Sequence, residues 1–296
     1  MAAQPVLLHP RRRIGGREFD FERQVAVMAI VNRTPDSFFD AGRTFELTRA
    51  VDAVVAAAAL GADLVDVGGV PFGTAGPPVS EAEELDRVVP LVEAVRAVSD
   101  VIISVDTYRA GVARASLAAG ANVINDTSGL YDIGLADLVA EHDAWLVITH
   151  SLASPPRTPV SKPTYGDVVA EVTAFLADRV ALARERGVPP ERIIVDPGHD
   201  LNKNTLHSLE LTRRLAEIAA LGYPTLAAVS NKDFIGETLD APQGKRQDGT
   251  IAALVACVLQ GARLVRVHDV PSAVAAVRMT EAILGLREPA FLRHNI

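Results

Sequence analysis

Short apolar runs alternate with longer amphipathic or alanine-rich segments along almost the whole chain. The runs contain few polar residues, which is typical of strands that are buried on both faces. The pattern predicts eight such strands, over residues 25–31, 64–67, 101–105, 122–124, 145–149, 193–195, 225–229 and 264–267.

The segments between these runs predict helices over residues 47–60, 81–98, 110–119, 168–186, 206–221, 250–260 and 271–284. Several helices end in a glycine that leads directly into the next strand, where a positive φ costs glycine least. These glycines are Gly61, Gly120, Gly222 and Gly261. Regular alternation of strand and helix predicts a parallel sheet with right-handed crossovers. Eight repeats favour closure, so the predicted fold class is α/β, a (β/α)8 TIM barrel.

No composition break or low-complexity linker divides the chain, so a single domain is expected. The barrel is expected over residues 25–286. In the N-terminal segment, residues 1–24, Gly15-Gly16 lies between two short alternating runs, which predicts a hairpin that caps the barrel. Residues 287–296 are interpreted as a C-terminal tail.

Composition narrows the functional classes. The 296 residues are 49% hydrophobic and carry a net charge of −8, and this charge argues against a nucleic-acid partner because phosphate binding requires a basic excess. The cluster Arg11, Arg12 and Arg13 is interpreted as a solvated segment. With neither a secretory-signal pattern nor a run of ~18 apolar residues, a cytoplasmic protein without a membrane partner is expected. The single cysteine, Cys257, is expected in the core.

Polar, mostly ionisable residues follow every predicted strand. In a parallel barrel these positions meet at one end, where active sites form. Each residue alone has a structural explanation, since an aspartate can cap the next helix and a histidine can be satisfied in the core. Together they indicate a binding site. The residues are Asn32, Thr34, Asp36, Asp66, Asp106, Asn125, Asp126, His150, Asp196, Ser230, Asn231, Lys232, Arg266, His268 and Asp269.

These residues also indicate the kind of ligand. Asn125, Asp126 and Asp196 offer acceptors and an amide, a set that suits a flat heterocycle with N–H and amino donors. Arg266 and His268 are donors after the last strand, where many barrels hold phosphate. A heterocycle linked to an anionic phosphate group is therefore a candidate ligand.

Six motifs follow the strands in order: MAIVNRTPDSF at 28–38, DVGG at 66–69, ISVDTYRAGVARASLAAGANVINDTSG at 103–129, DPG at 196–198, SNKDFIG at 230–236 with Gly249-Thr250, and RVHDV at 266–270. Together they resemble the dihydropteroate synthase family over nearly the whole chain. The resemblance implies a (β/α)8 barrel that joins a dihydropterin methyl diphosphate to p-aminobenzoate in folate biosynthesis. It implies a homodimer, and Mg²⁺ on the leaving diphosphate, an ion that needs few protein ligands.

The resemblance also implies roles for eight of the residues after the strands. The pterin ring would be held by Asp106, Asn125, Asp196 and Lys232, and the diphosphate by Arg266 and His268. The benzoate carboxylate would lie near Ser230, and the magnesium ion would bind Asn32.

The sequence departs from the family in the loops that receive the second substrate. The family segment Glu-Ser-Thr-Arg-Pro-Gly is VPFGTAG at 70–76, so its Thr-Arg pair is missing. Asp200 and Leu201 stand where the family has glycine and phenylalanine. The other departures are Arg33 for valine, Asn231 for arginine, and Thr149 and Ser151 for the methionines beside the histidine. One charged transition-state contact is worth ~2–4 kcal/mol, so several losses predict weak or absent synthase activity.

The main hypothesis is therefore a divergent second bacterial paralogue that keeps a partial pterin diphosphate pocket. An active dihydropteroate synthase is the alternative, favoured by the retained pterin and diphosphate residues. A third is a barrel enzyme for a different anionic substrate, with His199 and Asp200 as new site residues rather than a solvated loop. The pterin-binding domain of corrinoid methyltransferases is a fourth, which NRTPDSF and RVHDV fit less well.

Overall fold

A computed structural model of the protein describes residues 4–32, 47–71, 78–154, 156–158, 160 and 162–294. A two-stranded hairpin, β1 and β2, precedes the eight strands that the apolar runs predict. The bounds are β1 Arg11–Ile14, β2 Arg17–Asp20, β3 Ala26–Asn32, β4 Leu64–Gly68, β5 Ile102–Asp106, β6 Val123–Asp126, β7 Trp145–Thr149, β8 Ile193–Asp196, β9 Leu226–Ala227 and β10 Leu264–Val267.

The eight parallel strands form a barrel, which confirms the predicted fold class. Their order is β8-β7-β6-β5-β4-β3-β10-β9. A parallel bridge between Val195 and Thr225 joins the two ends of this order, so the sheet closes on itself. β9 is shorter than predicted because only Leu226 and Ala227 pair with β10.

Ten helices surround the barrel within the described ranges. Their bounds are α1 Leu47–Ala59, α2 Glu81–Arg96, α3 Ala110–Ala118, α4 Gly134–Glu141, α5 Val168–Glu185, α6 Thr205–Arg213, α7 Leu215–Ala219, α8 Asp233–Leu239, α9 Gln247–Leu259 and α10 Val270–Ile283. The single helix predicted over 206–221 is wrong, since the helix breaks at Arg214. The short helices α4 and α8 are not predicted. The four glycines expected after helices all have positive φ, between 81° and 107°.

The hairpin closes the N-terminal end of the barrel. β1 and β2 pair antiparallel from Arg11–Asp20 to Ile14–Arg17, around the predicted Gly15-Gly16 turn. Phe19 and Phe21 are buried, stack with their ring centroids 5.5 Å apart, and join an apolar cluster with interior residues of the barrel strands. This end of the barrel is thereby filled with apolar side chains.

The interpretation of all three N-terminal arginines as solvated is wrong for Arg12. Along β1 the side chains alternate, so Arg11 and Arg13 are exposed while Arg12 is buried. Arg12 Nη1 donates to the carbonyls of Glu191 at 2.8 Å and Ile193 at 2.9 Å. The hairpin is thus tied to the start of β8. Elsewhere, Cys257 is buried, and no helix of the described ranges is long and apolar enough to span a membrane.

Candidate functional site

A row of side chains crosses four neighbouring strands at their C-terminal ends. The strand register places Asn32 beside Gly68, Gly68 beside Asp106, and Asp106 beside Asn125. Since side chains alternate along a strand, residues two positions earlier face the same interior. The barrel interior therefore changes from an apolar cluster at the hairpin end to polar residues at the opposite mouth.

Asp66, on β4, is the centre of the polar interior. It is fully buried and accepts hydrogen bonds from Ser104 Oγ at 2.5 Å, Asn125 Nδ2 at 3.0 Å and Arg266 Nε at 2.7 Å. Burial raises the pKa of Asp66, and the Arg266 guanidinium opposes that shift. The sequence predicts Asp66 among the polar residues at the strand ends but indicates no role for it, although a carboxylate inside an apolar run usually has a charged or hydrogen-bonded partner.

Asp106 is held by two arginines. Arg157 Nη2 donates to Asp106 Oδ1 at 2.7 Å, and Arg266 Nη2 lies 3.5 Å from Asp106 Oδ2. Thr127 Oγ1 also donates to Oδ1, at 3.3 Å. Arg157 comes from the loop between β7 and α5, and no pattern in that loop predicts a site residue there.

Asp196 and Lys232 are the other predicted ring-binding residues. Asp196 is buried and accepts from Gly198 N at 2.7 Å. Burial raises the pKa of Asp196, with Lys232 and Arg266 opposing. Burial lowers the pKa of Lys232, and the charge that most opposes this shift is Asp200. These groups lie within electrostatic reach of each other at the barrel mouth.

Ser230 and His268 are in direct contact. Ser230 Oγ lies 2.9 Å from His268 Nδ1 and accepts from His268 N at 3.3 Å. Asn32 ends β3 beside Gly68, where an added Cβ would lie only 3.0 Å from Asn32 Oδ1. The absence of a side chain at Gly68 thus leaves space for the Asn32 amide. The predicted residues Thr34 and Asp36, Arg33, and residues 72–76 of the altered loop lie outside the described residues.

Residues 28–268, from β3 to the residue after β10, match the family model described as pterin binding enzyme. The chain belongs to this family. Similar sequences within it carry two different names. The protein called inactive dihydropteroate synthase 2 in Mycobacterium tuberculosis is 45% identical over 268 residues, which cover 89% of this chain and 84% of that protein. The dihydropteroate synthase of Synechocystis is 38% identical over 272 residues, covering 91% and 94%.

Solved structures of the family agree with the barrel. The dihydropteroate synthase of Xanthomonas albilineans, in complex with 7,8-dihydropteroate, superimposes with a TM-score of 0.82 at 38% identity, covering 93% of this chain and 99% of that chain. The chain is therefore a dihydropteroate synthase-like member of the pterin-binding enzymes.

Asp200 stands where the family has glycine, and the backbone at this position has a conformation typical of glycine. Asp200 has a φ of 62°, a left-handed conformation that favours glycine and that aspartate tolerates. Its carboxylate is held by the fold, because Oδ1 accepts from Ser208 Oγ at 3.0 Å and Oδ2 accepts from Phe234 N at 3.2 Å. The position therefore needs the backbone geometry of a glycine, while the side chain caps the start of α8.

The suggestion that Asp126 supplies acceptors to a ligand is wrong. Asp126 is fully buried and accepts from Ser128 N at 2.9 Å, Ser128 Oγ at 2.5 Å and Leu130 N at 2.5 Å. Burial raises its pKa to about 6 against these hydrogen bonds. Asp126 therefore shapes the turn after β6 and has its acceptors occupied.

His199 is not part of a solvated loop. It is fully buried, with Nε2 3.2 Å from Thr212 Oγ1 and its ring stacked on Phe234 at 6.0 Å between centroids. His150 is a satisfied core histidine, since its Nδ1 accepts from Lys203 Nζ at 2.8 Å. The Nδ1 of His199 has no hydrogen-bond partner among the described residues, so the third hypothesis keeps a buried histidine rather than one in an open loop.

We expect His199→Phe to gain stability relative to the wild type as the pH falls. Burial lowers the pKa of His199 to about 3, and the charge of Lys203 adds to that shift. A histidine in the unfolded chain has a pKa of about 6.5, so the wild type is fully stable above that pH and loses stability as the pH falls towards the folded pKa.

Between pH 7 and pH 5 the difference in free energy of unfolding should move in favour of the variant by about 2 kcal/mol. Urea unfolding at pH 5, 6, 7 and 8 measures it. His9→Phe, at an exposed histidine, controls for the exchange of an imidazole ring for a phenyl ring. A difference between His199→Phe and wild type that stays constant with pH would contradict the prediction.

Proposed function

We propose that the protein binds a dihydropterin diphosphate at the mouth of its barrel and has little or no dihydropteroate synthase activity. Asn125 carries the binding half of this proposal. Its Nδ2 donates to Asp66 Oδ2 at 3.0 Å, which fixes the orientation of the amide. Its Oδ1 is buried and has no hydrogen-bond partner among the described residues. A buried acceptor without a donor is costly, and the N–H groups of a pterin ring are suitable donors.

A second unpaired acceptor supports the same location. Thr149 ends β7, next to Asp196 in the strand register, and its buried Oγ1 also has no hydrogen-bond partner in the described part of the chain. The family has methionine at this position. Asn125, Thr149 and Asp196 thus offer oxygen atoms on three consecutive strands to a flat ligand with several donors.

The ligand is proposed to lie across the polar mouth. Asp106, Asn125, Asp196 and Lys232 would hold the pterin ring. The diphosphate would bind to Arg266 and His268, and Ser230, which touches His268, would lie near a benzoate carboxylate. Positive groups next to an anionic leaving group lower the barrier by stabilising the charge that develops on it. Specificity for a donor-rich ring follows from the buried carboxylates.

Magnesium is compatible with the residues present. No group of three His, Cys, Asp or Glu side chains in the described ranges is arranged to hold a metal, whereas Mg²⁺ typically takes few protein ligands together with substrate phosphates. The amide oxygen of Asn32, for which Gly68 leaves space, would be the protein ligand. Bound there, the ion would neutralise charge on the diphosphate.

The proposed lack of synthase activity rests on the altered loops. The Thr-Arg pair of the family is missing from residues 70–76, Asn231 replaces an arginine, and Leu201 replaces an aromatic residue. Relatives that are 45% and 43% identical, from Mycobacterium tuberculosis and Mycobacterium leprae, carry the name inactive dihydropteroate synthase 2. A protein with these losses would bind the first substrate and fail to join it to the second.

Calorimetric titration with 6-hydroxymethyl-7,8-dihydropterin diphosphate and Mg²⁺, beside a turnover assay with p-aminobenzoate, tests both halves. We expect micromolar binding without turnover. Asp196→Asn should weaken binding at least about tenfold, because a hydrogen bond to a charged acceptor is lost. Asp137→Asn, at an exposed carboxylate paired with Arg186, is the matched control. Turnover comparable to that of an active synthase would establish the alternative, and negligible binding would refute the pterin pocket.

We also propose a cytoplasmic homodimer. Met279 and Ile283 lie one turn apart on α10 and are 61% and 56% exposed, and Phe291 and Leu292 add exposed apolar surface. An apolar helix face of this kind supports a two-fold interface. Sedimentation equilibrium would reveal the dimer, and a mass of 31.4 kDa at all concentrations would contradict it.

A further inference from the structure

Arg157 reaches into the site from the loop between β7 and α5. Its side chain is 15% exposed. Nη2 donates to Asp106 Oδ1 at 2.7 Å, and Nη1 donates to the carbonyl of Val70 at 2.9 Å. Its guanidinium therefore joins three parts of the mouth: the loop after β7, the loop after β4 and the end of β5.

Both oxygens of Asp106 have a cationic neighbour in this arrangement. Arg157 and Thr127 donate to Oδ1, and Arg266 lies against Oδ2. A pterin ring that binds Asp106 through two parallel N–H donors needs both oxygens, and Oδ1 already accepts two hydrogen bonds. Binding of the ring is therefore an exchange, in which one internal donor leaves the carboxylate and a ligand donor replaces it.

Arg157 is the donor that can leave. Arg266 belongs to β10 and is also bound to Asp66, so its position is fixed by the sheet and by a second carboxylate. Arg157 lies in a connecting loop and has a φ of 63°, in the left-handed region that is strained for a long side chain. Such a conformation persists only where contacts hold it. The contacts with Asp106 and Val70 are the ones that the exchange breaks.

We propose that Arg157 is a latch on the ring side of the site and determines its ligand specificity. Bound to Asp106 Oδ1, it occupies an acceptor that a pterin ring with two parallel donors needs, and such a ring binds only when it displaces the guanidinium. A neutral ring must replace a charge-assisted hydrogen bond, so rings with few donors are rejected. This inference rests on the proposed pterin site and adds a residue that controls access to it.

The test is calorimetric titration with 6-hydroxymethyl-7,8-dihydropterin, the ring without the diphosphate, on the wild type and on Arg157→Ala. The latch predicts binding at least about tenfold tighter in the variant, the size of one charge-assisted hydrogen bond. Arg157→Lys keeps the positive charge but lacks the planar guanidinium that can form two parallel hydrogen bonds, so its affinity for the pterin should be intermediate between those of the wild type and Arg157→Ala. Arg186→Ala, which removes an arginine from an exposed pair with Asp137, should match the wild type. Equal or weaker binding by Arg157→Ala overturns the latch.

A second measurement separates the latch from the proposed function. If neither protein binds the ring alone, titration with the diphosphate substrate decides about the pterin site, and amide hydrogen exchange of the loop at 150–167 decides about the contact. The latch predicts faster exchange in Arg157→Ala and in Asp106→Asn, with no further increase in the double variant, because both changes break one contact. Independent increases that multiply in the double variant overturn it.

Discussion

Turnover with p-aminobenzoate should rise by at least about a hundredfold when residues 70–76 are replaced by Glu-Ser-Thr-Arg-Pro-Gly and combined with Asp200→Gly and Leu201→Phe. Restoring one charged transition-state contact is worth about 2.7–4 kcal/mol, and every ~1.4 kcal/mol is a factor of ten in rate. The replaced loop supplies the missing Thr-Arg pair, and the change at Leu201 supplies the aromatic residue of the family. A steady-state assay with the diphosphate substrate and Mg²⁺ measures the gain.

The structure shows that the change at Asp200 is compatible with the backbone. Its φ of 62° is favourable for glycine, so Asp200→Gly removes a side chain from a position with glycine geometry. The change costs the hydrogen bonds from Ser208 and Phe234, and it removes the charge that most opposes the lowered pKa of Lys232. The loop replacement and the pair of substitutions, each made alone, are the controls. A combined variant that binds the diphosphate substrate but stays without turnover would show that the defect lies elsewhere.

Arg266→Ala should destabilise the protein by about 3–5 kcal/mol, because it leaves the buried carboxylate of Asp66 without its cation. Arg266 is 13% exposed and lies between Asp66, 2.7 Å away, and Asp106, 3.5 Å away. At about 2–4 °C for each kcal/mol, the melting temperature should fall by roughly 6–20 °C.

The loss of stability caused by Arg266→Ala should also depend on pH, which calorimetry of the variant and the wild type measures. The raised pKa of Asp66 means that its protonated form is favoured in the fold, so acidification removes the uncompensated charge. The deficit relative to the wild type should therefore shrink as the pH falls. Arg186→Ala, at a pair 44% and 36% exposed, should cause a much smaller loss, because solvent screens an exposed ion pair. Equal losses for Arg266→Ala and Arg186→Ala would refute the role of Arg266 as the counter-ion.

The barrel could be predicted from the sequence because its signals are local. Apolar runs mark the strands, and the glycines after helices mark where the chain turns back. The missed helices α4 and α8 have eight and seven residues, too short for a clear period. The split between α6 and α7 is equally local, and the apolar pattern continues through it.

The composition of the site was less predictable than its location. The ends of the predicted strands located the polar residues of the site, but residues of the same type have different roles there. Asp126 closes a turn, Asp66 organises the interior, and Asp106 is paired with two arginines. Arg157 and Arg12 show the limit most clearly, since their partners lie 51 and 181 residues away in the chain. Contacts over such separations leave no signal in the local pattern.

The hairpin at the barrel floor has a consequence for synthesis on the ribosome. It is made before the barrel strands, yet Arg12 binds the carbonyl of Ile193, and the carbonyl of Phe21 accepts from Arg263 Nε at 2.6 Å. Its partners in β8 and β10 emerge only when most of the chain has been translated, so the packing around Phe19 and Phe21 is incomplete on the nascent chain until then. Contacts of this range slow folding and expose apolar surface in the meantime. Truncated or stalled chains should therefore depend on chaperones through this one hairpin.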